Sequence, residues 1–401
     1  MRKDDSKTAK LLNRPPKYLL PIIVFAQFAG TSLWFAGNAI IGEIEKVTQI
    51  SSSSANVTSF VQFGFIAGTL VFPLFTIADR FSASKVFFFS ALIAAVANLL
   101  LVWFAHDSTL LFTLRFVTGF FLAGIYPVGM KISADHFPKQ LGNALGFLVG
   151  ALVLGTAFPN LLKSQLQNFE WKQVLIFTSA LAAFGGICIL LFVPSANNRT
   201  ASSRINLSTA FAVFRSSNFR RAAFGYFGHM WELYTLWAFV PIILSDYSRH
   251  NDDRINVPLW SFIVIATGCL GCIAGGLISK RAGSKQVAFI ALVISGLCCL
   301  LSPLAFACQP LLFLFFLTIW GISVVTDSPQ FSTLVAQSAP AENKGTALTI
   351  VTSIGFAITI VSVQVIRFFY PAMREATLLI LVAGPALGLL SLAKYRTKRS
   401  T

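Results

Sequence analysis

Acidic residues are scarce in this chain: 15 Asp and Glu among 401 residues, against 31 Lys and Arg. Charged residues of both signs make up only 11%, where a soluble domain carries about 25%, so water is not the solvent for most of the chain. Histidine is rarer still. His106, His136, His229 and His250 are dispersed, with no His-Glu-x-x-His pair and no Gly-x-Ser-x-Gly turn, which sets aside zinc-protease and serine-hydrolase chemistry. There is no Walker A loop, hence no sign of ATP drive. The six cysteines all fall in apolar stretches. "CLGC" (269–272) lacks the second ligand pair of a metal or redox site, and Cys in an apolar helix behaves as a small hydrophobe. No metal and no cofactor is expected.

What the chain does have is hydrophobic length. Fifty-five per cent of its residues are hydrophobic and 40 are Phe. A run of about 20 apolar residues spans a bilayer, and twelve are expected: 18–41, 57–77, 86–106, 109–132, 141–162, 172–193, 221–245, 259–279, 286–307, 310–336, 346–369 and 373–393. The opening run is longer than a signal-peptide core of about 7–15 residues and is read as a retained first helix. The connections are short except 194–220, which is rich in Ser, Asn and Arg. The organisation is therefore a tail (1–17), six helices (18–193), a linker (194–220), six more helices (221–393) and a second tail (394–401).

Basic residues resist translocation. With the N-terminus inside, twenty-three of the 31 fall in inner segments and seven in outer loops, with Arg115 inside a span. Both termini are expected to be cytoplasmic. The net charge of +16 is this inside bias, reinforced by anionic lipid. The basic residues are scattered rather than gathered in one patch, so nucleic acid is not an expected partner.

Three short matches recur roughly two hundred residues apart. "SLWFAGNAI" (32–40) matches "TLWAFVPII" (235–243), and "FPKQLGNAL" (137–145) matches "APAENKGTAL" (339–348). "FTIADRFSASK" (75–85) matches "GGLISKRAGSK" (275–285). Three matches in order argue for a duplicated six-helix unit, a transporter plan with its binding site between the halves.

On these residues the chain resembles the major facilitator superfamily, over essentially its whole length. That family places a Gly-x-x-x-Asp-Arg-x-Gly-type turn between helices 2 and 3, with a weaker copy between helices 8 and 9. The first copy here keeps Asp79 and Arg80 but has Phe75 and Ser82 where glycines are expected. The second keeps Gly276, Arg281 and Gly283 but has Lys280 in the acidic position. "RFVTGFFLAGIYPVG" (115–129) resembles the helix 4 motif, with Arg115, Gly119 and Gly124. The resemblance implies an all-α membrane protein of twelve helices, in two pseudo-symmetric six-helix bundles around a central cavity, with the polar turns as conformational latches. The other reading of those turns is plain: glycine bends the loop and basic side chains face lipid. In helix 5, "GTAFPNL" (155–161) departs from the Gly-Pro pattern of the family's exporters.

Four ionisable residues lie well inside expected spans: Arg115, His229, Glu232 and Asp327. A charge at mid-bilayer costs about 2.5–3.5 kcal/mol on insertion scales, so such groups face a cavity or a partner. In the family, helices 1, 4, 7 and 10 line the cavity, and these four residues fall on helices 4, 7 and 10. Glu232, near the middle of helix 7, is the first choice for proton coupling; the competing reading is a structural carboxylate. His229, three residues away on the same face, either relays the proton or satisfies a hydrogen bond. Asp327, beside Pro329, either gates the inner side or packs helices. Arg115 either pairs with a substrate anion, matching carboxylate or phosphate geometry, or serves structure. Gln27, Trp34 and Asn38 share one helical face. With Tyr126, Tyr234 and Trp237 they are the candidate substrate-binding residues, against the alternative of interfacial anchors.

The function expected is alternating-access secondary transport across a bacterial inner membrane by a monomer, as proton-coupled uptake of a small polar or anionic metabolite. A proton-antiport exporter of a drug-like or metabolite substrate is the runner-up. A non-transporting membrane sensor is the third reading, and a multispanning enzyme is disfavoured by the missing motifs.

Overall fold

In lipid, every backbone N–H and C=O must be paired within the protein, and helices do this segment by segment. The computed structural model describes residues 16–48, 54–137, 141–165, 170–194, 213–252, 254–340 and 344–395, all helix and connection with no strand among them. Most of both tails and of the 194–220 linker lies outside the described residues.

The helices are α1 (Leu19–Thr31), α2 (Ala36–Ala39), α3 (Ile41–Thr48), α4 (Ser54–Leu74), α5 (Ile77–Arg80), α6 (Ala83–Phe104), α7 (Ser108–Leu122), α8 (Tyr126–His136) and α9 (Leu141–Gln165). They continue as α10 (Lys172–Phe192), α11 (Ser217–His250), α12 (Val257–Ala266), α13 (Gly268–Ala282), α14 (Ser284–Ala305), α15 (Pro310–Thr326), α16 (Ser328–Ser338) and α17 (Lys344–Met373). A 3-10 stretch, Arg374–Val382, leads into α18 (Ala383–Ala393). Among the described residues nine segments are long and apolar enough to cross a membrane, and the last, Thr346–Ala393, is 48 residues, the length of two passes. The other expected spans are helical but atypical. The first is broken after Thr31, and the seventh is one 34-residue helix carrying His229, Glu232 and several arginines.

Helix pairing repeats across the chain. In the first half α4 packs on α7, α9 on α1, α10 on α1 and α6 on α10; in the second half α12 and α13 pack on α15, α17 on α11, α18 on α11 and α14 on α18. The two halves meet along α4 with α17 and along α9 with α12 and α13. Close approach at two glycines carries the same symmetry. A Cβ on Gly119 would strike the carbonyl of Val61, and a Cβ on Gly321 the carbonyl of Val264. These pairs sit roughly two hundred residues apart, the spacing of the sequence matches, so the duplication is visible in backbone contact. Small residues at such crossings let helices pack without a side chain between them.

The surface is inverted relative to a soluble domain. Leu191, Leu311, Phe315 and Phe368 are more than half exposed, while Arg115, His229, Glu232 and Asp327 are buried. Contiguous exposed apolar surface of this kind is membrane-facing.

The two polar turns are built differently. In the first, Thr76 takes a left-handed φ of 51° and Ser82 an ordinary one. In the second, α13 runs on to Ala282 and Gly283 turns the chain at φ 83°, ψ 150°. That region is essentially glycine-only, which is why glycine stands at 283 and is dispensable at 82. Gly276, by contrast, has open space where a Cβ would sit. Gly283→Ala is therefore expected to destabilise by about 1–3 kcal/mol, with Gly276→Ala close to neutral, as read from thermal unfolding in detergent. Arg80, Lys280 and Arg281 are exposed, and the side chain of Asp79 lies outside the described residues.

Candidate functional site

The first span breaks at residues 32–35, between α1 and α2, and the break leaves carbonyls without helical partners. Arg115, fully buried on α7, fills that role. Its guanidinium donates from Nη1 to Leu33 O at 3.1 Å and from Nη2 to Trp34 O. Nη1 also reaches Asn98 Oδ1 at 3.5 Å, and the Asn98 amide is anchored on Thr178 and Ser179 of α10. No carboxylate pairs with Arg115 among the described residues. The planar fork suits this two-carbonyl task better than an ammonium would. Arg115 thus fixes the bend that presents Trp34 and Phe35 to the centre.

Those two rings join others from both halves. The Trp34 ring lies 4.7 Å from Phe65 on α4, 5.6 Å from Tyr234 on α11 and 5.5 Å from Phe356 on α17. Phe35 approaches Tyr234 and Trp237 at 6.4 and 6.5 Å. The six rings form a buried aromatic cage where the halves meet. Trp34 and Trp237, matched in the repeat, stand on opposite sides of it. Outside the cage is a cavity of about 250 Å³ whose innermost residues along their helices are Phe35 and Trp237, and which Asn38, Asn160, Lys163, Ser245 and Arg249 also line. In the orientation expected from the Lys and Arg asymmetry, this is the outer end. Its two bases are paired: Lys163 with Glu43 at 2.9 Å and Arg249 with Asp246 at 2.8 Å.

Inward of the cage, Tyr126 neighbours Tyr226 and Cys272, and Tyr234 neighbours both tyrosines. About one turn farther in along α11, His229 Nδ1 lies 2.8 Å from Asp327 Oδ1, with both side chains at most 2% exposed. The atoms are at ion-pair distance but poorly aligned for a hydrogen bond, and His229 Nε2 has no partner among the described residues. Asp327 sits at the junction of α15 and α16. Pro329 lacks the N–H that would continue the ladder, and the Val325 carbonyl accepts from the Asp327 N–H and from the Cys272 thiol, the latter at 3.5 Å. The pair therefore bridges a continuous helix and a broken one.

Glu232 is elsewhere. It points into the second bundle, where it accepts from Trp320 Nε1 at 2.6 Å, Ser295 Oγ at 3.1 Å and Cys299 Sγ at 3.4 Å. Three donors from α14 and α15 fix it away from the cage. Gln27 is buried near Gly129, with neither amide atom paired among the described residues. Asn38 donates to Thr58 Oγ1. Of the residues singled out in the sequence, Trp34, Tyr234 and Trp237 come together in the cage with Tyr126 just inward, and His229 meets Asp327.

Phe35, Phe65, Phe356 and Gln62 escaped sequence reasoning. A Phe carries little signal in a chain with 40 of them. Gln62, a lone amide in "FVQFGF" (60–65), could have been flagged as readily as Gln27. Asn98 could have been found the same way.

The halves are tied at both ends of the α4–α17 seam. Thr69 and Ser353 hydroxyls meet at 3.0 Å, and at the other end Gln364 donates to Ser59 at 2.8 Å and Arg367 to Asn56 at 2.6 Å.

Comparison with known proteins places this geometry. A family model described as the Major Facilitator Superfamily matches residues 19–363. The crystal structure of the E. coli fucose:proton symporter FucP, in an alanine variant, is similar with a TM-score of 0.67 at 15% identity, covering 96% of this chain and 100% of that one. A crystal structure of the nucleoside transporter NupG, also an alanine variant, is similar with a TM-score of 0.68 at 15% identity, covering 94% of this chain and 98% of that one. Among curated proteins none matches by sequence.

Proposed function

The chain belongs to the Major Facilitator Superfamily, and from that premise we propose that it takes up a small polar metabolite together with protons, with His229 and Asp327 as the coupling pair. That it is a multi-pass secondary transporter, not an enzyme, follows from family and fold. The observation that carries the finer reading is the buried contact between His229 and Asp327 at a helix break.

The pair is charge-balanced when the imidazole and the carboxylate, 2.8 Å apart and buried, hold one ionisable proton between them. Adding or removing one proton leaves an unbalanced charge in a dry interior, at a cost of several kcal/mol. Opening the site to water on one side relieves that cost. Proton number and cavity opening are thereby linked, which is what a coupled carrier requires. The proton drive of the E. coli fucose symporter, which shares the fold, supports this reading. The polar turns at Asp79–Arg80 and Lys280–Arg281, at the inner ends of the halves, are proposed to act as latches that release as the inner side opens. Orientation with both termini in the cytoplasm of a bacterial inner membrane, and a monomeric working unit, belong to the same proposal.

The test is uptake into proteoliposomes with an acidic exterior. A solute that binds the purified protein should accumulate above its external concentration, up to about tenfold per proton for each pH unit of gradient. Equilibration without accumulation, at any imposed gradient, contradicts proton coupling.

A further inference from the structure

The cage contains polar groups that the fold leaves unserved. Trp34 Nε1 and Trp237 Nε1 are buried and have no hydrogen-bond partner among the described residues. The same is true of both amide atoms of Gln62, a residue with no exposed surface. Gln62 lies on the α4 face that carries Thr58, Phe65 and Thr69, at helical spacing. Thr58 receives Asn38, Phe65 packs on Trp34, and Thr69 meets Ser353 of the other half. Gln62 is thus placed on the cage side, between Asn38 and Trp34. A buried donor or acceptor left unpaired costs about 1–3 kcal/mol, and native interiors seldom carry several together. Such a cluster at the meeting of two halves is preorganised for something that enters.

We propose that the cage and its adjoining cavity bind an uncharged ring solute bearing several hydroxyl groups, a monosaccharide or cyclitol. The chemistry follows from what the site offers and withholds. The two indole donors require acceptor oxygens, and the Gln62 amide takes one acceptor and one donor, as a hydroxyl can supply. Phe35 and Trp237 are the cage rings that line the cavity, and aromatic faces match the apolar C–H faces of a saturated ring. The cavity of about 250 Å³ equals roughly eight waters' share of liquid volume, the scale of a single ring. A cation would find aromatic faces but no free carboxylate among the described residues that line the cavity, and it would meet two N–H donors. Among the described residues lining the cavity an anion would find no free base, since Lys163 and Arg249 are paired with Glu43 and Asp246, and both terminal nitrogens of Arg115 are committed to backbone carbonyls. This inference rests on the cage as the transport site, and it narrows the substrate from polar or anionic to polar and neutral.

The experiment is thermal stabilisation and calorimetric titration of the purified full chain in detergent, with no pH gradient. The probes are D-xylose, D-glucose and myo-inositol as neutral rings, succinate and phosphate as anions, and choline as a cation. At least one neutral ring should bind, and the anions and choline should not. Trp237→Phe keeps an aromatic face but removes the indole N–H together with the five-membered ring, so affinity should fall at least about tenfold, and Gln62→Leu should weaken it by about tenfold. Unliganded melting temperatures of both variants check that they fold. Binding of succinate, phosphate or choline in place of the neutral rings overturns the inference, as does silence from all three neutral rings. Equal affinity in wild type and both variants also overturns it, because the solute would then sit elsewhere. A neutral ring that binds but fails to accumulate under a pH gradient contradicts proton coupling and leaves the substrate class standing.

Discussion

Asp327→Asn is expected to abolish uphill accumulation while leaving exchange of solute for solute intact. The substitution preserves shape beside His229, 2.8 Å away, but the amide cannot take up or release a proton. In a gradient of one pH unit the wild-type protein should accumulate solute up to about tenfold per coupled proton, and the variant should stop at equality. Exchange requires only reorientation of the loaded carrier and should continue. The contrast with Glu232→Gln sharpens the assignment. Glu232 is held by Trp320, Ser295 and Cys299 within the second bundle, so its amide variant should lose stability before it loses coupling. If Glu232→Gln abolishes accumulation and Asp327→Asn does not, the coupling carboxylate is Glu232, as its mid-span position suggested at the outset.

Arg115→Leu is expected to be the most damaging single change in the first half. It removes the donors to Leu33 O and Trp34 O, and Asn98 Oδ1 loses its guanidinium partner. Each buried carbonyl left without a donor costs about 1–3 kcal/mol, so the loss is a large part of a typical folding free energy. The break at residues 32–35 would relax, and Trp34 and Phe35 would leave the cage. Arg115→Lys should fall between: one compact ammonium cannot span two carbonyls in the fork geometry. Thermal unfolding should rank wild type above Lys above Leu, and solute affinity should follow the same order. If instead the Lys variant keeps full stability and loses only binding of anionic solutes, Arg115 is a substrate ligand.

The sequence carried the architecture because its physics is long-ranged and repetitive. Twelve apolar runs, the inside bias of Lys and Arg, and three matches at nearly one spacing all follow from lipid and from duplication. The apolar runs reappear as nine membrane-length segments among the described residues, and the duplication as paired helices and as the Gly119–Val61 and Gly321–Val264 crossings. Buried charges were legible one at a time, because a charge in an apolar run has few explanations. Their partners were not. His229 and Glu232 are three residues apart yet serve different neighbours: His229 meets Asp327 on the broken helix pair α15–α16, and Glu232 meets α14 and α15. Three positions along a helix leave two side chains about 60° apart around its axis, enough to change the neighbour. Spacing along one helix does not say which other helix stands opposite. The breaks at residues 32–35 and 123–125 escaped for a related reason. The first contains no proline and is held open by an arginine about eighty positions away; the second ends just before Pro127 at the start of α8, a signal of the same kind as Pro329. Pro329 did announce the bend beside Asp327.

The most direct measurement is proton movement caused by solute. Wild-type proteoliposomes, lightly buffered and with no imposed gradient, receive a pulse of a binding solute while external pH is recorded. The account predicts immediate alkalinisation outside as protons enter with solute, abolished by protonophore and absent from the Asp327→Asn variant. Solute entry with no change in external pH, or acidification outside, would contradict proton-coupled uptake through the His229–Asp327 pair.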